Sequence, residues 1–140
     1  MKALTLKDVE HTAMRLAVER LSFNEPIPDF STRFPNVLES CLAAPFQTFG
    51  GKALYPSLLD RAALLFYLMI KNHPFQNGNK RIAMTSLLVY LYLNKKWLRA
   101  DAQELYNFTV WVATSPAPLK EDTVRAISRF LKIRLVARSD

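Results

Sequence analysis

The sequence predicts an all-α fold, a mainly helical bundle that carries one short β-hairpin. Two long apolar stretches of helical length meet at a polar loop, and apolar residues elsewhere recur at helical spacing. A glycine pair interrupts the one stretch that is typical of β-structure. With 140 residues, half of them hydrophobic, the chain suits one compact domain, which we expect to span residues 1–140.

The first helix is predicted from its cap and from its apolar stripe. Thr5 precedes the helix and Asp8 occupies the third helical position, a pattern typical of a helix N-terminus. An apolar stripe then follows at helical spacing, which consists of Val9, Ala13, Leu16 and Ala17. We therefore expect a helix that buries one face.

The next part of the chain is predicted to be less regular. Residues 22–35 contain three prolines and are expected to form a loop, followed by a short amphipathic helix over residues 37–44. Residues 46–55 have the composition of a small β-hairpin that turns at Gly50 and Gly51.

Two further helices form the predicted core. Pro56 is expected to open the first, which runs from Leu58 to Ile70 and is apolar nearly all round. After a break at residues 72–78, the second apolar helix runs from about Lys80 to Asn94.

Two more helices complete the prediction. One covers residues 104–113 and ends before two prolines. The last buries a stripe at helical spacing, which consists of Val124, Ile127, Phe130 and Leu131.

The net charge of +7 is concentrated in one part of the chain. Residues 61–100 contain no acidic residue, and the rest of the chain carries twelve charges of each sign. The seven cations of this segment are Arg61, Lys71, Lys80, Arg81, Lys95, Lys96 and Arg99. Such an excess favours an anionic partner, namely phosphate, nucleic acid or an acidic protein. The alternative is a solvated basic face that aids solubility.

Several classes of protein are not expected. The longest apolar run, Ala62–Ile70, has nine residues, whereas a membrane span needs about 18. The N-terminus does not resemble a secretory signal. The single cysteine, Cys41, excludes an internal disulfide and a zinc site of several thiolates. We expect a soluble cytoplasmic protein without a membrane partner.

The loop between the two core helices contains the candidate chemistry. Gly78 suits a backbone with positive φ, and Asn79 is expected to cap the following helix. Lys80 and Arg81 lie in the first turn of that helix, where cations are unfavourable unless an anion neutralises them. His73 can move a proton near neutral pH. A base beside a phosphate cradle is typical of a phosphoryl or nucleotidyl transferase.

The same residues resemble a known motif. Residues 73–81, His-Pro-Phe-Gln-Asn-Gly-Asn-Lys-Arg, match six of the seven constrained positions of the Fic/Doc motif, H-x-F-x-(D/E)-(A/G)-N-(G/K)-R. Residues 46–51 resemble the target-binding flap of that family. The similarity extends over about residues 38–93 and implies a mainly helical Fic/Doc-like bundle.

The resemblance also implies an activity. The position after Asn79 is glycine in the adenylyltransferases of the family and lysine in its Doc (death-on-curing) branch, as Lys80 is here. In that branch the nucleotide binds in the reversed direction, so that the γ-phosphate of ATP reaches the target hydroxyl. Members of the branch are toxins of toxin–antitoxin pairs. They phosphorylate a threonine of elongation factor Tu, arrest translation and are inhibited by a helical segment of an antitoxin protein.

Residue roles follow from the resemblance. His73 would be the general base, and Phe75 would be a buried anchor of the loop. The residues implied to bind the nucleotide phosphates are Gly78, Asn79, Lys80 and Arg81. The residues implied to hold the target by strand addition are Thr48, Phe49, Gly50, Gly51 and Lys52.

Asn77 departs from the family pattern, because most members have an acid there that binds Mg²⁺ between phosphate oxygens. An amide oxygen can bind the metal but contributes no charge. Two alternatives to the kinase therefore stay open. One is an adenylyltransferase, and the other is a catalytically weak module that binds an antitoxin or nucleic acid. For the kinase, nucleic acid is not expected as a direct partner.

Overall fold

The computed structural model describes residues 1–21, 23 and 25–139. Its helices are α1 (Leu6–Asp8), α2 (Met14–Arg20), α3 (Pro35–Ala43), α4 (Leu58–Lys71), α5 (Asn79–Leu93), α6 (Ala102–Ala113) and α7 (Lys120–Arg134). Its strands are β1 (Thr48–Phe49), β2 (Lys52–Ala53), β3 (Lys96–Leu98) and β4 (Leu135–Ala137). A π-helical turn, Val9–Ala13, joins α1 to α2. The prediction of a mainly helical fold is confirmed.

Helices α4 and α5 form the centre of the molecule. Every residue from Ala62 to Ile70 in α4 is buried, and so is every residue from Ile82 to Leu91 in α5. Both helices are predicted to be apolar all round, and α4 is covered by α5 on one side and by α7 on another. Burying a side chain such as Leu or Phe contributes about 1.5–3 kcal/mol, so this pair dominates the hydrophobic stabilisation.

The start of α4 differs from the prediction. The Ser57 hydroxyl accepts a hydrogen bond of 3.0 Å from the backbone N–H of Asp60, which makes Ser57 the N-cap. Pro56 therefore precedes the cap, and the expectation that it opens the helix was wrong. The reason is that a serine oxygen can satisfy a free N–H group of the first turn, which proline cannot do.

The N-terminal helix begins as predicted. The Thr5 hydroxyl accepts from the N–H of Asp8, and the Asp8 carboxylate accepts from the N–H of Thr5, so the two residues form a capping box. Val9, Ala13 and Ala17 are fully buried. The helical stretch therefore packs its predicted stripe against the core.

The loop before α3 is irregular, as predicted, apart from a 3₁₀ turn at Phe30–Thr32. Ser22 and Asn24 lie outside the described residues. Pro35 is the first residue of α3, so this helix starts two residues earlier than predicted. Proline is well tolerated at this position because its missing N–H is not needed there.

Strands β1 and β2 form the predicted hairpin. Thr48 pairs with Ala53 and Phe49 pairs with Lys52 in antiparallel register. The two turn residues, Gly50 and Gly51, have φ values of +59° and +78°, which is the conformation that a tight hairpin turn requires. The position of the hairpin and its turn is confirmed.

A second two-stranded sheet was not predicted. β3 follows α5 and pairs with β4 at the C-terminal end of α7, with Trp97 opposite Val136. The expectation of one hairpin as the only β-structure was therefore wrong. Each strand has three residues, which is too short for an alternating pattern, and the pairing joins parts of the chain that are separated by two helices.

The last two helices agree with the prediction. Asp101 caps α6 by accepting from the N–H of Glu104 at 2.8 Å, so the helix begins slightly before the predicted residue. In α7, Ile127 and Leu131 are fully buried, and Val124 and Phe130 are half-buried. No helix among the described residues is long and apolar enough to cross a lipid bilayer.

Candidate active site

The loop between α4 and α5 presents polar side chains above an apolar anchor. His73 is exposed and has a φ of +50°, a left-handed conformation that is uncommon for residues other than glycine. Gln76 and Asn77 are also exposed. Phe75 is 1% exposed and packs against Phe30 with ring centroids 6.2 Å apart. The prediction that Phe75 anchors the loop is confirmed.

Asn79 fixes the shape of this loop. Its side-chain oxygen accepts from the N–H of Phe75 at 3.0 Å, and its side-chain nitrogen donates to the carbonyl of Phe75 at 2.9 Å. The same nitrogen lies 3.4 Å from Nδ1 of His73. The prediction that Asn79 caps α5 was wrong. Gly78 occupies the N-cap position, and Asn79 is the first helical residue. The asparagine instead positions the backbone that carries His73.

Gly78 is required by backbone conformation and by a close approach. Its φ is +71°, and a Cβ at this position would lie 2.6 Å from the carbonyl oxygen of Pro26 and 3.2 Å from Cδ of Pro28. The predicted need for positive φ is confirmed. The atoms that approach Gly78 belong to residues 26–28 of the same chain, and they leave no room for a side chain at position 78.

The Arg81 guanidinium binds the protein backbone. It donates from Nε to the carbonyl of Leu21, from Nη1 to that of Glu25 and from Nη2 to that of Ala17. Arg81 is 8% exposed, and burial lowers its pKa, while the nearby charge of Glu25 acts in the opposite direction. The Arg81 guanidinium was expected to bind phosphate, but in this structure it holds the segment around Glu25 in place.

A carboxylate of the chain lies at the predicted anion site. Glu25 Oε2 is 2.6 Å from Nζ of Lys80, and Glu25 Oε1 accepts from the backbone N–H of Arg81 at 3.3 Å. Both contacts lie in the first turn of α5, where free N–H groups and the helix dipole favour negative charge. The site therefore accommodates an anion, and Glu25 supplies it here.

The basic segment is not one continuous surface. Arg61 donates to the carbonyl of Tyr55 at 2.7 Å, and Lys71 donates to the carbonyl of Ser115 at 2.6 Å. Lys80 and Arg81 lie at one end of α5, whereas Lys95, Lys96 and Arg99 follow its other end. The seven charges therefore do not form one surface, since Arg61, Lys71 and Arg81 bind backbone carbonyls and the other cations lie at different ends of α5.

The hairpin and His73 lie at opposite ends of α4. Phe46, at the base of the hairpin, packs against Tyr90 near the C-terminus of α5, with centroids 6.1 Å apart. Arg61, in the first turn of α4, lies 4.8 Å from the centroid of the same Phe46 ring. A helix of 14 residues is about 21 Å long, so α4 separates the hairpin from the loop. A target held on the hairpin would have to extend along α4 to reach His73.

Metal ligands are sparse in this region. Asn77 is exposed and could offer its amide oxygen to Mg²⁺. The described residues contain no group of three His, Cys, Asp or Glu that could hold a metal ion. Asn77 is therefore the residue of this loop that could hold a metal ion, as a neutral ligand.

Glu25 is the site residue that sequence reasoning missed. It lies in the irregular segment before α3 and meets Lys80 and Arg81 across more than fifty positions of the chain. Its pattern in the sequence, one acid before a proline, gives no signal for such a contact. Only the uncompensated positive charge at the start of α5 indicated that an anion was needed there.

Comparisons with known proteins agree with the motif. The family model described as the Fic/DOC family matches residues 4–91. The Toxin Doc of Mycolicibacterium smegmatis is 33% identical over 84 residues, which cover 56% of this chain and 65% of that protein. The match therefore spans slightly less than two thirds of this relative. No solved structure matches the chain.

We expect Gly78→Ala to destabilise the protein by more than Gly50→Ala. Both glycines have positive φ, which costs an alanine about 1–2 kcal/mol. Only at position 78 would the new Cβ also meet a backbone carbonyl at 2.6 Å, whereas nothing lies within 4 Å at position 50. Urea unfolding of the two variants measures the difference. Equal losses of stability would contradict the close packing of Gly78 on Pro26.

We expect Glu25→Gln to increase the affinity of the protein for ATP. The substitution keeps an oxygen that can accept from the N–H of Arg81 but removes the charge that neutralises Lys80. The loss of a competing charged contact of about 1 kcal/mol corresponds to roughly fivefold tighter binding. Isothermal titration calorimetry measures it. Glu39→Gln, an exposed glutamate on α3, is the matched control, and an equal effect of both variants would contradict the prediction.

Proposed function

Since the chain belongs to the Fic/DOC family, we propose that it is a toxin that transfers the γ-phosphate of ATP to a hydroxyl of a target protein. The proposal rests on one arrangement. An exposed histidine, His73, follows α4 in a loop fixed by Asn79, and the loop leads into a helix N-terminus that accommodates an anion. A base beside a phosphate site is what transfer to a hydroxyl requires.

His73 would act as the general base. A ring nitrogen takes the proton of the target hydroxyl, the hydroxyl oxygen forms a bond to the γ-phosphorus, and ADP leaves with the electron pair of the broken P–O bond. An amide nitrogen can only donate, so the contact between Asn79 Nδ2 and His73 Nδ1 requires Nδ1 as the acceptor. At 3.4 Å this contact is long, and it can be given up when the ring engages a substrate.

The phosphates would bind where Glu25 now lies. Lys80 supplies a charge, and the N–H groups at the start of α5 supply donors, among them that of Arg81. In this proposal Arg81 binds phosphate through its backbone N–H, while its guanidinium holds the segment around Glu25. Gly78 and Asn79 contribute by fixing the backbone that precedes the helix.

Asn77 would be the protein ligand of Mg²⁺. The metal neutralises charge on the phosphate oxygens when it is bound. The neutral amide of Asn77 supports a second candidate, in which the protein binds partners and turns over slowly or not at all. The described residues also contain no group of three acids, histidines or cysteines that could hold the metal in its place.

Partners and compartment follow from the same proposal. The relative from Mycolicibacterium smegmatis is named as a toxin. We propose for this chain an antitoxin that inhibits it, elongation factor Tu as the target and a cytoplasmic location. The hairpin residues 48–52 would contribute to target binding by strand addition, at the end of α4 away from His73.

We expect His73→Ala to abolish label transfer from γ-labelled ATP to a protein in a bacterial lysate. His73 is exposed, and within the described residues its one hydrogen-bond contact is the long one to Asn79, so the variant should fold and lose at most about 1–2 kcal/mol of stability from the positive φ at this position. His73→Asn is a second test, because asparagine tolerates positive φ and cannot act as a base. Label from the γ position with the wild-type protein and none with either variant is the expected result.

A parallel reaction with α-labelled ATP distinguishes the transferred group. Label from the α position would mean adenylyl transfer and would contradict the role of Lys80. If the wild-type protein transfers label from neither position, the kinase is overturned and the binding module is favoured.

We expect Asn77→Asp to lower the Mg²⁺ concentration needed for half-maximal transfer. A carboxylate adds a charged oxygen ligand at an exposed position and should leave the stability of the fold unchanged. Gln76→Glu, at the neighbouring exposed position, is the matched control for added negative charge. The prediction is contradicted if both variants change the magnesium dependence equally.

A further inference from the structure

A groove of about 560 Å³ lies between the N-terminal half of α4 and one face of α7. Leu64 and Val124 contribute apolar surface, and Tyr55 closes the end that faces the hairpin. We refer to this feature as the α4–α7 groove. It lies at the end of α4 away from His73 and is separate from the site described above.

The face of α7 that lines the groove is polar or charged except at Val124, which also packs against the core. Lys120, Val124, Ser128 and Lys132 recur at intervals of four residues and line the groove. The buried stripe, Thr123, Ile127 and Leu131, lies beside it. The hydrophobic core therefore explains Val124 but not Lys120, Ser128 or Lys132.

The charges of the groove are predominantly positive. Its four cations are Lys120, Arg125, Arg129 and Lys132, and its two acids are Asp60 and Glu121. Arg125 pairs with Asp122. Within the part of the chain that the structure describes, no ion pair involves Arg129 or Lys132. Two exposed cations at one end of the groove thus lack a partner of opposite charge.

We propose that the α4–α7 groove binds an acidic segment of a partner protein that also carries aliphatic side chains. Carboxylates of the segment pair with Arg129 and Lys132, and its aliphatic groups cover the half-buried side chains of Tyr55 and Val124. A nucleic acid fits less well, because its phosphates would leave the apolar surface of Tyr55 and Val124 uncovered. The occupant is therefore a peptide.

The position of the groove suits a docking surface. Tyr55 lies between β2 and α4, so the groove continues directly from the hairpin, where Phe49 is 80% exposed. This inference goes beyond the proposed function, since it needs neither His73 nor a nucleotide.

Fluorescence anisotropy with the full chain and a labelled peptide tests the proposal. The probe is a 12-residue peptide in which glutamate and leucine alternate, at low ionic strength. The double variant Arg129→Glu with Lys132→Glu should bind it at least tenfold more weakly than the wild-type protein. The matched control, Lys7→Glu with Arg15→Glu, changes the net charge equally at exposed positions of α1 and α2 and should bind within about twofold of wild type.

A second peptide, in which serine replaces leucine, tests whether the apolar surface of the α4–α7 groove contributes to binding. It should bind more weakly than the first peptide. Circular dichroism and thermal unfolding establish that the variants fold. Because His73→Ala should bind the peptide like the wild-type protein, failure of phosphoryl transfer and failure of this proposal are distinguishable.

Several outcomes would overturn the proposal. One is an equal loss of peptide affinity in the groove variant and in the control variant. Another is equal affinity of the wild-type protein for the two peptides, and a third is no binding at peptide concentrations of about 1 mM. Tighter binding of a short duplex oligonucleotide, lost in the groove variant, would also overturn it and would assign the surface to nucleic acid.

Discussion

Hydrogen bonds from the buried Arg81 guanidinium to the carbonyls of Ala17, Leu21 and Glu25 hold the segment before α3 against the start of α5. A hydrogen bond from a charged donor contributes about 1.5–3 kcal/mol. These contacts bring Pro26 over Gly78 and place the Glu25 carboxylate beside Lys80. The shape of the site thus depends on an arginine that points away from it.

The local features of the fold and the two core helices could be predicted from the sequence. The capping box at Thr5, the two apolar helices and the glycine turn each depend on residues within a few positions of one another. The role of Arg81 could not be predicted, because its partners are backbone carbonyls up to 64 residues away and any residue type can supply a carbonyl. For the same reason, the pairing of β3 with β4 left no pattern in the chain.

Asn79 lies at the start of α5, as predicted, but it does not have the predicted role of N-cap. Asparagine is a common N-cap, and the helix does begin at this point. The left-handed conformation of Gly78 makes the glycine the cap, and the asparagine side chain then turns back to both backbone groups of Phe75. The residue still belongs to the site, since it sets the backbone on which His73 is carried.

The position of Glu25 has a consequence for any anion that binds the start of α5. Because Glu25 is part of the chain and Arg81 holds its backbone, a free anion must displace this carboxylate from Lys80. A single carboxylate carries one charge, whereas a polyphosphate carries several and can use the N–H groups of the helix as well. In the proposed function a polyphosphate would therefore displace Glu25 more readily than a simple anion, and this preference would depend on how firmly Arg81 holds the segment that carries Glu25.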